Sequence, residues 1–304
     1  MALDEATTAL LTQMAQAEVP PLEQMTPQQA RAFSKAMAAE SAETGPEMFT
    51  TSESDASGVP VRVLVPGETP RAVIVYYHGG GWVLGDIDQY DAVGRRLAAR
   101  TGCAVVLVGY RKAPEHPYPA AVEDSWAALR WTAGHLEEIA GAPVPLIVAG
   151  DSAGGNLAAI MARRARDHGG PSLALQILIY PVTDCDLETA SYRDPANQLM
   201  LTREGMAWFW NHYLPDLPSR EDADASPLRA KDLSGLAPAV VLTAEHDVLL
   251  DEGESYAERL REAGVPVSSR RFDGQMHGFF TMIGLLPGSG AAFDHLAESV
   301  DRHV

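Results

Sequence analysis

The sequence predicts an α/β protein built on a mostly parallel, doubly wound sheet flanked by helices. Three observations carry this expectation. Short β-branched runs alternate with helical stretches, and several runs are apolar at nearly every position, as in parallel strands covered on both faces. The 304 residues, 46% hydrophobic and 21% charged, suit one large α/β domain or two ordinary ones. Glycine clusters stand at the ends of two of the runs, in HGGGW (78–82) and GDSAGG (150–155).

Along the chain, VRVLVP (61–66), RAVIVYYH (71–78), CAVVLVGY (103–110), PLIVAG (145–150), LALQILIY (173–180) and PAVVLTA (238–244) read as strands. PVSSRRF (266–272) is more polar and is expected at the sheet edge, where two protomers would pair as a homodimer. Helices are expected near 88–100, 120–139, 155–168, 251–264 and 289–303.

Two segments break the alternation. Residues 1–45 are rich in Ala and Met and read as N-terminal helices lying on the core. Residues 183–235 interrupt the sheet and carry REGMAWFWNHYL. Its aromatic stripe is either core packing or a lid over a substrate pocket. The expected organisation is therefore cap helices at 1–45, core at 46–182, a cap insertion at 183–235, and the rest of the core at 236–304.

Acidic residues outnumber basic ones 41 to 23, a net charge of -18, which argues against a phosphate-binding surface and so against nucleic acid as a partner. Two cysteines make no disulfide framework, and Cys103, in an apolar run, reads as a small core residue. The first 30 residues lack Lys and Arg, unlike a signal peptide, and no apolar run reaches the length of a membrane span. The expectation is a cytoplasmic protein with no membrane partner.

GDSAGG follows an apolar strand and precedes NLAAIMARRA, a good helix. G-x-S-x-G needs that context, because the serine sits on a sharp strand-to-helix turn that exposes its hydroxyl. Ser152 is the candidate nucleophile. It needs a base, and the base an orienting acid. In this strand-turn-helix setting the order along the chain is Ser, acid, His. His277 in DGQMHGFF follows a late strand and is the candidate base, while His168, His212, His295 and His303 read as solvated. Asp247, directly after PAVVLTA, is the candidate acid. His246 reads as structural, and Glu245 and Asp251 remain rival acids.

Three glycines directly after a buried strand imply that something approaches the backbone closely. Attack by Ser152 creates an oxyanion, and backbone N–H groups aimed at it are the expected stabilisers. Ala153, after the nucleophile, supplies one. Gly80 and Gly81 supply the others. Phosphate-loop and metalloprotease patterns are missing, so no cofactor and no metal is expected.

HGGGW, YRKAPEHPYPAAVED, GDSAGGNLA, AEHDVLLDEG and MHGF resemble the hormone-sensitive-lipase-like group of bacterial α/β-hydrolase carboxylesterases, over residues 60–304. The resemblance implies an α/β-hydrolase fold and a triad of Ser152, Asp247 and His277. It also implies an oxyanion hole of Gly80, Gly81 and Ala153, and a lid built from the N-terminal helices and the 183–235 insertion. His78 would hold the glycine loop, and Arg111, Glu115 and His116 would form a structural ion network. Lys112 and Gln275 depart from the apolar residues expected at their positions. The expected substrates are neutral short- or medium-chain esters, against a pocket of Trp82, Met206, Phe209 and Trp210. An amidase or peptidase would use the same triad. A non-catalytic receptor on this scaffold, similar to the plant gibberellin receptors, would lack the catalytic histidine that His277 supplies.

Overall fold

The computed structural model of the chain describes residues 2–16, 20–40 and 43–304. Positions 1, 17–19 and 41–42, within the expected N-terminal cap, lie outside the described residues. In chain order the elements begin with α1 (Glu5–Gln16), α2 (Pro27–Glu40), β1 (Thr50–Asp55), β2 (Pro60–Val65), β3 (Val73–Tyr77), α3 (Asp91–Thr101) and β4 (Ala104–Val108). Then come α4 (Ala120–Gly134), α5 (Leu136–Ala140), β5 (Leu146–Asp151), α6 (Ala153–Asp167), β6 (Leu175–Ile179), α7 (Ala190–Arg193) and α8 (Arg203–Tyr213). The last are β7 (Ala239–His246), α9 (Leu250–Glu262), β8 (Val267–Met276) and α10 (Pro287–Asp301).

The eight strands form one sheet in the order β1-β2-β4-β3-β5-β6-β7-β8. β1 and β2 run antiparallel to their neighbours, and every pair from β4 to β8 is parallel. The continuous apolar runs are resolved by the pleat. Val73, Val75 and Tyr77 of β3 face one hydrophobic cluster with Leu157 and Tyr256, while Ile74 and Tyr76 face the other with Leu97, Phe293 and Leu296. Alternate residues feed opposite faces, so α6 and α9 cover one side and α3 and α10 the other.

β8 forms one edge of the sheet, as its polar residues suggest. The other edge is a strand without a sequence signal. β1 reads TTSESD and is almost wholly exposed; it exists because Thr50 to Asp55 pair with Val65 to Pro60. The helix expected over 120–139 breaks at His135, whose backbone (φ −121°) leaves the helical region directly after Gly134. Cys103 is buried in the core, as expected. His212, His295 and His303 are half-buried, not solvated, and His303 Nδ1 lies 2.7 Å from the Ser299 carbonyl oxygen. Among the described residues no helix is long and apolar enough to cross a membrane.

The topology positions the site. β3, β5, β7 and β8 are parallel, so their carboxyl ends lie along one edge of the sheet, where ligands bind in open α/β folds. The residue immediately after each strand is His78, Ser152, Asp247 and His277, respectively. A bulge between Ala244 and His246 shifts the β7–β8 register so that His246 pairs with Met276. Bulges of this kind re-aim the residues that follow, here Asp247 and His277.

Candidate active site

Ser152 occupies the turn between β5 and α6 with φ 55° and ψ −119°. A positive φ strains a non-glycine residue, and the surroundings hold it there. Its N–H donates to the Ile179 carbonyl at 2.9 Å, and its carbonyl accepts from Asn156 and Val182 N–H at 3.0 and 3.2 Å. The flanking glycines are required by space. A Cβ on Gly154 would lie 1.9 Å from the Tyr77 carbonyl oxygen, and one on Gly150 would lie 2.3 Å from the Gly154 backbone.

The Ser152 hydroxyl lies 3.1 Å from His277 Nε2, and His277 Nδ1 lies 2.7 Å from Asp247 Oδ2. A carboxylate only accepts, so Nδ1 carries the proton toward Asp247 and Nε2 accepts from the serine. Asp247 is 1% exposed, and its second oxygen accepts from the Leu249 N–H at 2.9 Å. The rival acids are engaged elsewhere. Asp251 accepts from Ser191 N–H, and Glu245 from Gly274 N–H. His246 is buried beside Glu245, with 3.8 Å between Nε2 and the carboxylate. Tyr180 packs its ring against His277 at 4.7 Å between centroids.

Gly80 and Gly81 form a turn closed by Val83 and Leu84 N–H donating to the Gly80 carbonyl at 3.1 and 2.8 Å. Both glycines have positive φ. Ala153 is the first residue of α6, and the first N–H groups of a helix have no partner inside it and carry the positive end of its dipole. His78 sits under the loop, stacked on Tyr110 at 4.2 Å, with Nδ1 2.7 Å from the Gly79 carbonyl oxygen. Burial lowers its pKa to about 4, so it is a neutral ring that donates to that carbonyl.

The chain belongs to the α/β-hydrolase fold family. The family model matches residues 74–281, which span the glycine loop, the nucleophile turn and the His277 loop. Among relatives of this α/β hydrolase, carboxylesterase NlhH of Mycobacterium tuberculosis is 45% identical over 239 residues, covering 77% of this chain and 75% of its own. Ethyl acetate hydrolase of Pseudomonas putida is 34% identical, covering 82% and 80%. The crystal structure of a thermostable esterase from Pseudomonas putida superposes with a TM-score of 0.92 at 39% identity, covering 99% of this chain and 98% of its own.

The expected pocket residues divide. Trp82 and Trp210 are completely buried, and Trp82 stacks on Tyr213 at 4.1 Å with the rings 7° from parallel. Neither presents surface to a substrate, so these two rings join the insertion of the α/β hydrolase to its glycine loop and do not wall a pocket. Met206 is 1% exposed and buried with them. Phe209 lies against Gly81. The expected ion network also divides into two separate pairs. Arg111 binds Asp124 with both side-chain and backbone donors, while Glu115 receives Arg31 of α2 through both oxygens at 2.9 and 2.6 Å. His116 is exposed. Lys112 donates to the Gly85 carbonyl at 2.5 Å, and Gln275 donates to Asp4. Both departures from apolar character thus tie down loops.

Other residues that serve the site went unread in the sequence. Asn156 donates from one amide nitrogen to the carbonyls of Val182 and Ala225, at 3.0 and 2.8 Å, which brings together the beginning of the insertion and a point near its end. Glu252 is buried, accepts from the N–H groups of Thr183 and Asp184, and so fixes the insertion to α9. Burial raises its carboxyl pKa well above the ordinary value. Ser191 donates to the Val248 carbonyl beside Asp247 at 2.7 Å. Asp151 stands in the second position of GDSAGG, where the motif itself was the only signal.

Proposed function

We propose that this chain is a serine carboxylesterase that hydrolyses short- to medium-chain carboxylic esters through a covalent acyl-enzyme. The observation that carries the reading is the unbroken hydrogen-bond chain from Ser152 through His277 to Asp247. The site faces the glycine loop, and the relatives are named as ester hydrolases.

In this reading Ser152 Oγ attacks the ester carbonyl carbon and its proton passes to His277 Nε2. Asp247 accepts from Nδ1–H throughout, which keeps Nε2 free to take that proton and stabilises the imidazolium once formed. The carbonyl oxygen becomes an anion held by the N–H groups of Gly80, Gly81 and Ala153. Collapse breaks the bond to the alcohol oxygen, which leaves with the proton from Nε2, and the acyl group stays on Ser152. Water then attacks the acyl carbon, gives its proton to Nε2, and the acid is released as Ser152 recovers its hydrogen. The outer edge of β8, which pairs with no further strand among the described residues, supports a homodimer joined through that strand, which sedimentation at several protein concentrations checks.

The test of the function is Ser152→Ala assayed on p-nitrophenyl butyrate and on the matched anilide. Ester hydrolysis and organophosphate labelling should both vanish while the thermal melt is retained. Labelling that persists at another serine refutes the assignment, and wild-type rates on the anilide equal to those on the ester favour an amidase.

A further inference from the structure

The residue just before the nucleophile is a buried carboxylate with no step in the reaction described above. Asp151 is 3% exposed. Its Oδ1 accepts from the Tyr76 hydroxyl at 2.8 Å and from the Gly79 N–H at 3.0 Å, and its Oδ2 accepts from the Tyr90 hydroxyl at 3.0 Å. The Tyr90 oxygen also lies 3.1 Å from Gly79 N, closing the arrangement. The bonds of His277 go to Asp247 and Ser152, so Asp151 is not the acid of the triad.

We propose that Asp151 is a positioning residue for the oxyanion site, whose carboxylate locks the glycine loop to the backbone of the nucleophile. The inference rests on the serine reading given above and adds a residue to it. The oxyanion site is assembled from two parts of the chain: Ala153 belongs to the nucleophile turn, while Gly80 and Gly81 belong to the loop after β3. Their N–H groups serve one oxygen only if the two parts keep a fixed spacing, and a displacement of about 1 Å in such a constellation is expensive in rate. Asp151 is covalently next to Ser152 and bonded directly to Gly79, so it spans that junction in a single side chain. The fit is close: a Cβ on Gly79 would lie 2.4 Å from Asp151 Oδ2.

The chemistry of the acceptor matters. Two hydroxyls and one amide all point donors at the same group, and a carboxylate accepts all three at once. The titratable groups facing it are Tyr76 of β3, Tyr90 before α3, Tyr110 after β4, Tyr180 after β6 and His277 after β8. Burial raises its pKa to about 6, the three donors and His277 opposing the shift. The loop is therefore held by a group kept in the interior against its own desolvation.

The experiment compares Asp151→Leu with Asp151→Asn, side chains of similar size that differ in having an acceptor. Rates are taken per active site titrated with an organophosphate, and each variant is also measured against a trifluoromethyl ketone, which forms a hemiketal oxyanion on the serine. Asp151→Leu should lower kcat at least about tenfold with KM within about twofold, and weaken the ketone in parallel. Asp151→Asn should return kcat to within about threefold of wild type, because its carbonyl oxygen accepts from Gly79 and Tyr76. Equal kcat for the Leu and Asn variants, or a loss expressed in KM alone, overturns the proposal. Should the Leu variant fail to give a cooperative melt, Tyr76→Phe/Tyr90→Phe strips two donors from the carboxylate; a kcat loss of about threefold or more supports the proposal and an unchanged kcat overturns it. Turnover by Ser152→Ala would refute the serine reading instead, whereas an inactive Ser152→Ala beside a fully active Asp151→Leu refutes only this inference.

Discussion

Phe209 lies so close to Gly81 that a Cβ on the glycine would sit 2.1 Å from the phenylalanine ring. The ring belongs to α8 of the insertion and the glycine to the loop after β3, so the insertion and the glycine loop meet at this pair. Gly81 also has φ +58°, a conformation that disfavours a side chain. Gly81→Ala must displace either the ring or the loop. It should lower kcat by about two orders of magnitude, the scale of losing one oxyanion donor, as measured by steady-state kinetics on p-nitrophenyl butyrate. Activity within a few-fold of wild type would remove Gly81 from the oxyanion site.

Phe209→Ala acts on the other member of the pair. Opening the space over the loop should raise the kcat/KM ratio of p-nitrophenyl decanoate over butyrate, because the ring limits the room for an acyl chain. The wild type should prefer chains of about four to eight carbons. Since Phe209 is buried, truncation should also cost about 3 kcal/mol of stability, seen as a lower denaturation midpoint. An unchanged chain-length profile would assign the ring to packing alone.

Asp247→Asn keeps the shape of the acid but can donate to His277, which favours the wrong tautomer. We expect kcat to fall by about two to four orders of magnitude. Glu245→Gln and Asp251→Asn should stay near wild type, because those carboxylates bond to Gly274 and Ser191 and not to His277. The reverse ranking on the same substrate would move the acid to a neighbour.

Asp151 makes a prediction about stability that is separate from rate. Its folded pKa is about 6 against an ordinary 3.8, so the folded state holds the proton more tightly than the unfolded one. The contribution to stability is fully present below pH 3.8 and is lost as pH rises through about 6. The difference corresponds to about 3 kcal/mol. The melting temperature of Asp151→Asn should therefore gain on that of wild type by a few degrees between pH 4 and pH 7, and then hold a constant lead. A lead that shrinks over that interval would contradict the burial account.

Arg31 tests the attachment of the N-terminal helices. From α2 it donates to the Val83 and Ala113 carbonyls, at 2.8 and 2.7 Å, and to both oxygens of Glu115. Its side chain is how α2 holds the segment just past the glycine loop. Arg31→Met should speed tryptic cleavage after Lys35 at least about fivefold, as local opening becomes easier. Glu115→Gln should change it less, because the two carbonyl bonds remain. Equal cleavage of all three proteins would show that α2 is held by other contacts.

Much of the site was legible because its chemistry demands local patterns. A nucleophile on a strand-to-helix turn needs G-x-S-x-G, where Gly154 leaves no room for a Cβ beside Tyr77. A loop packed as tightly as the one after β3 needs small residues, and Gly80 and Gly81 announce it. His277 and Asp247 followed from standing directly after late strands. The apolar runs of β3, β4 and β5 are buried on both faces, so their composition alone marked them. β1 was illegible for the opposite reason. TTSESD has no buried face and owes its conformation to the hydrogen bonds of β2.

What only the tertiary structure decided is which groups meet across distant parts of the chain. Trp82 and Trp210 were expected as pocket walls, but the stacking of Trp82 on Tyr213 and the tilted packing of Trp210 against Trp82 place both inside. Arg111, Glu115 and His116 are neighbours in sequence, yet the first pairs with α4 and the second with α2. Asp151 looks like a spacer until Tyr76, Tyr90 and Gly79 converge on it. The sequence by itself determined the fold class and singled out Ser152, Asp247 and His277, the three side chains that hydrogen bonds join, because periodicity and strained turns are encoded within a few residues. Partner choice depends on directions set by strand order and on the space left between elements, which no local pattern carries.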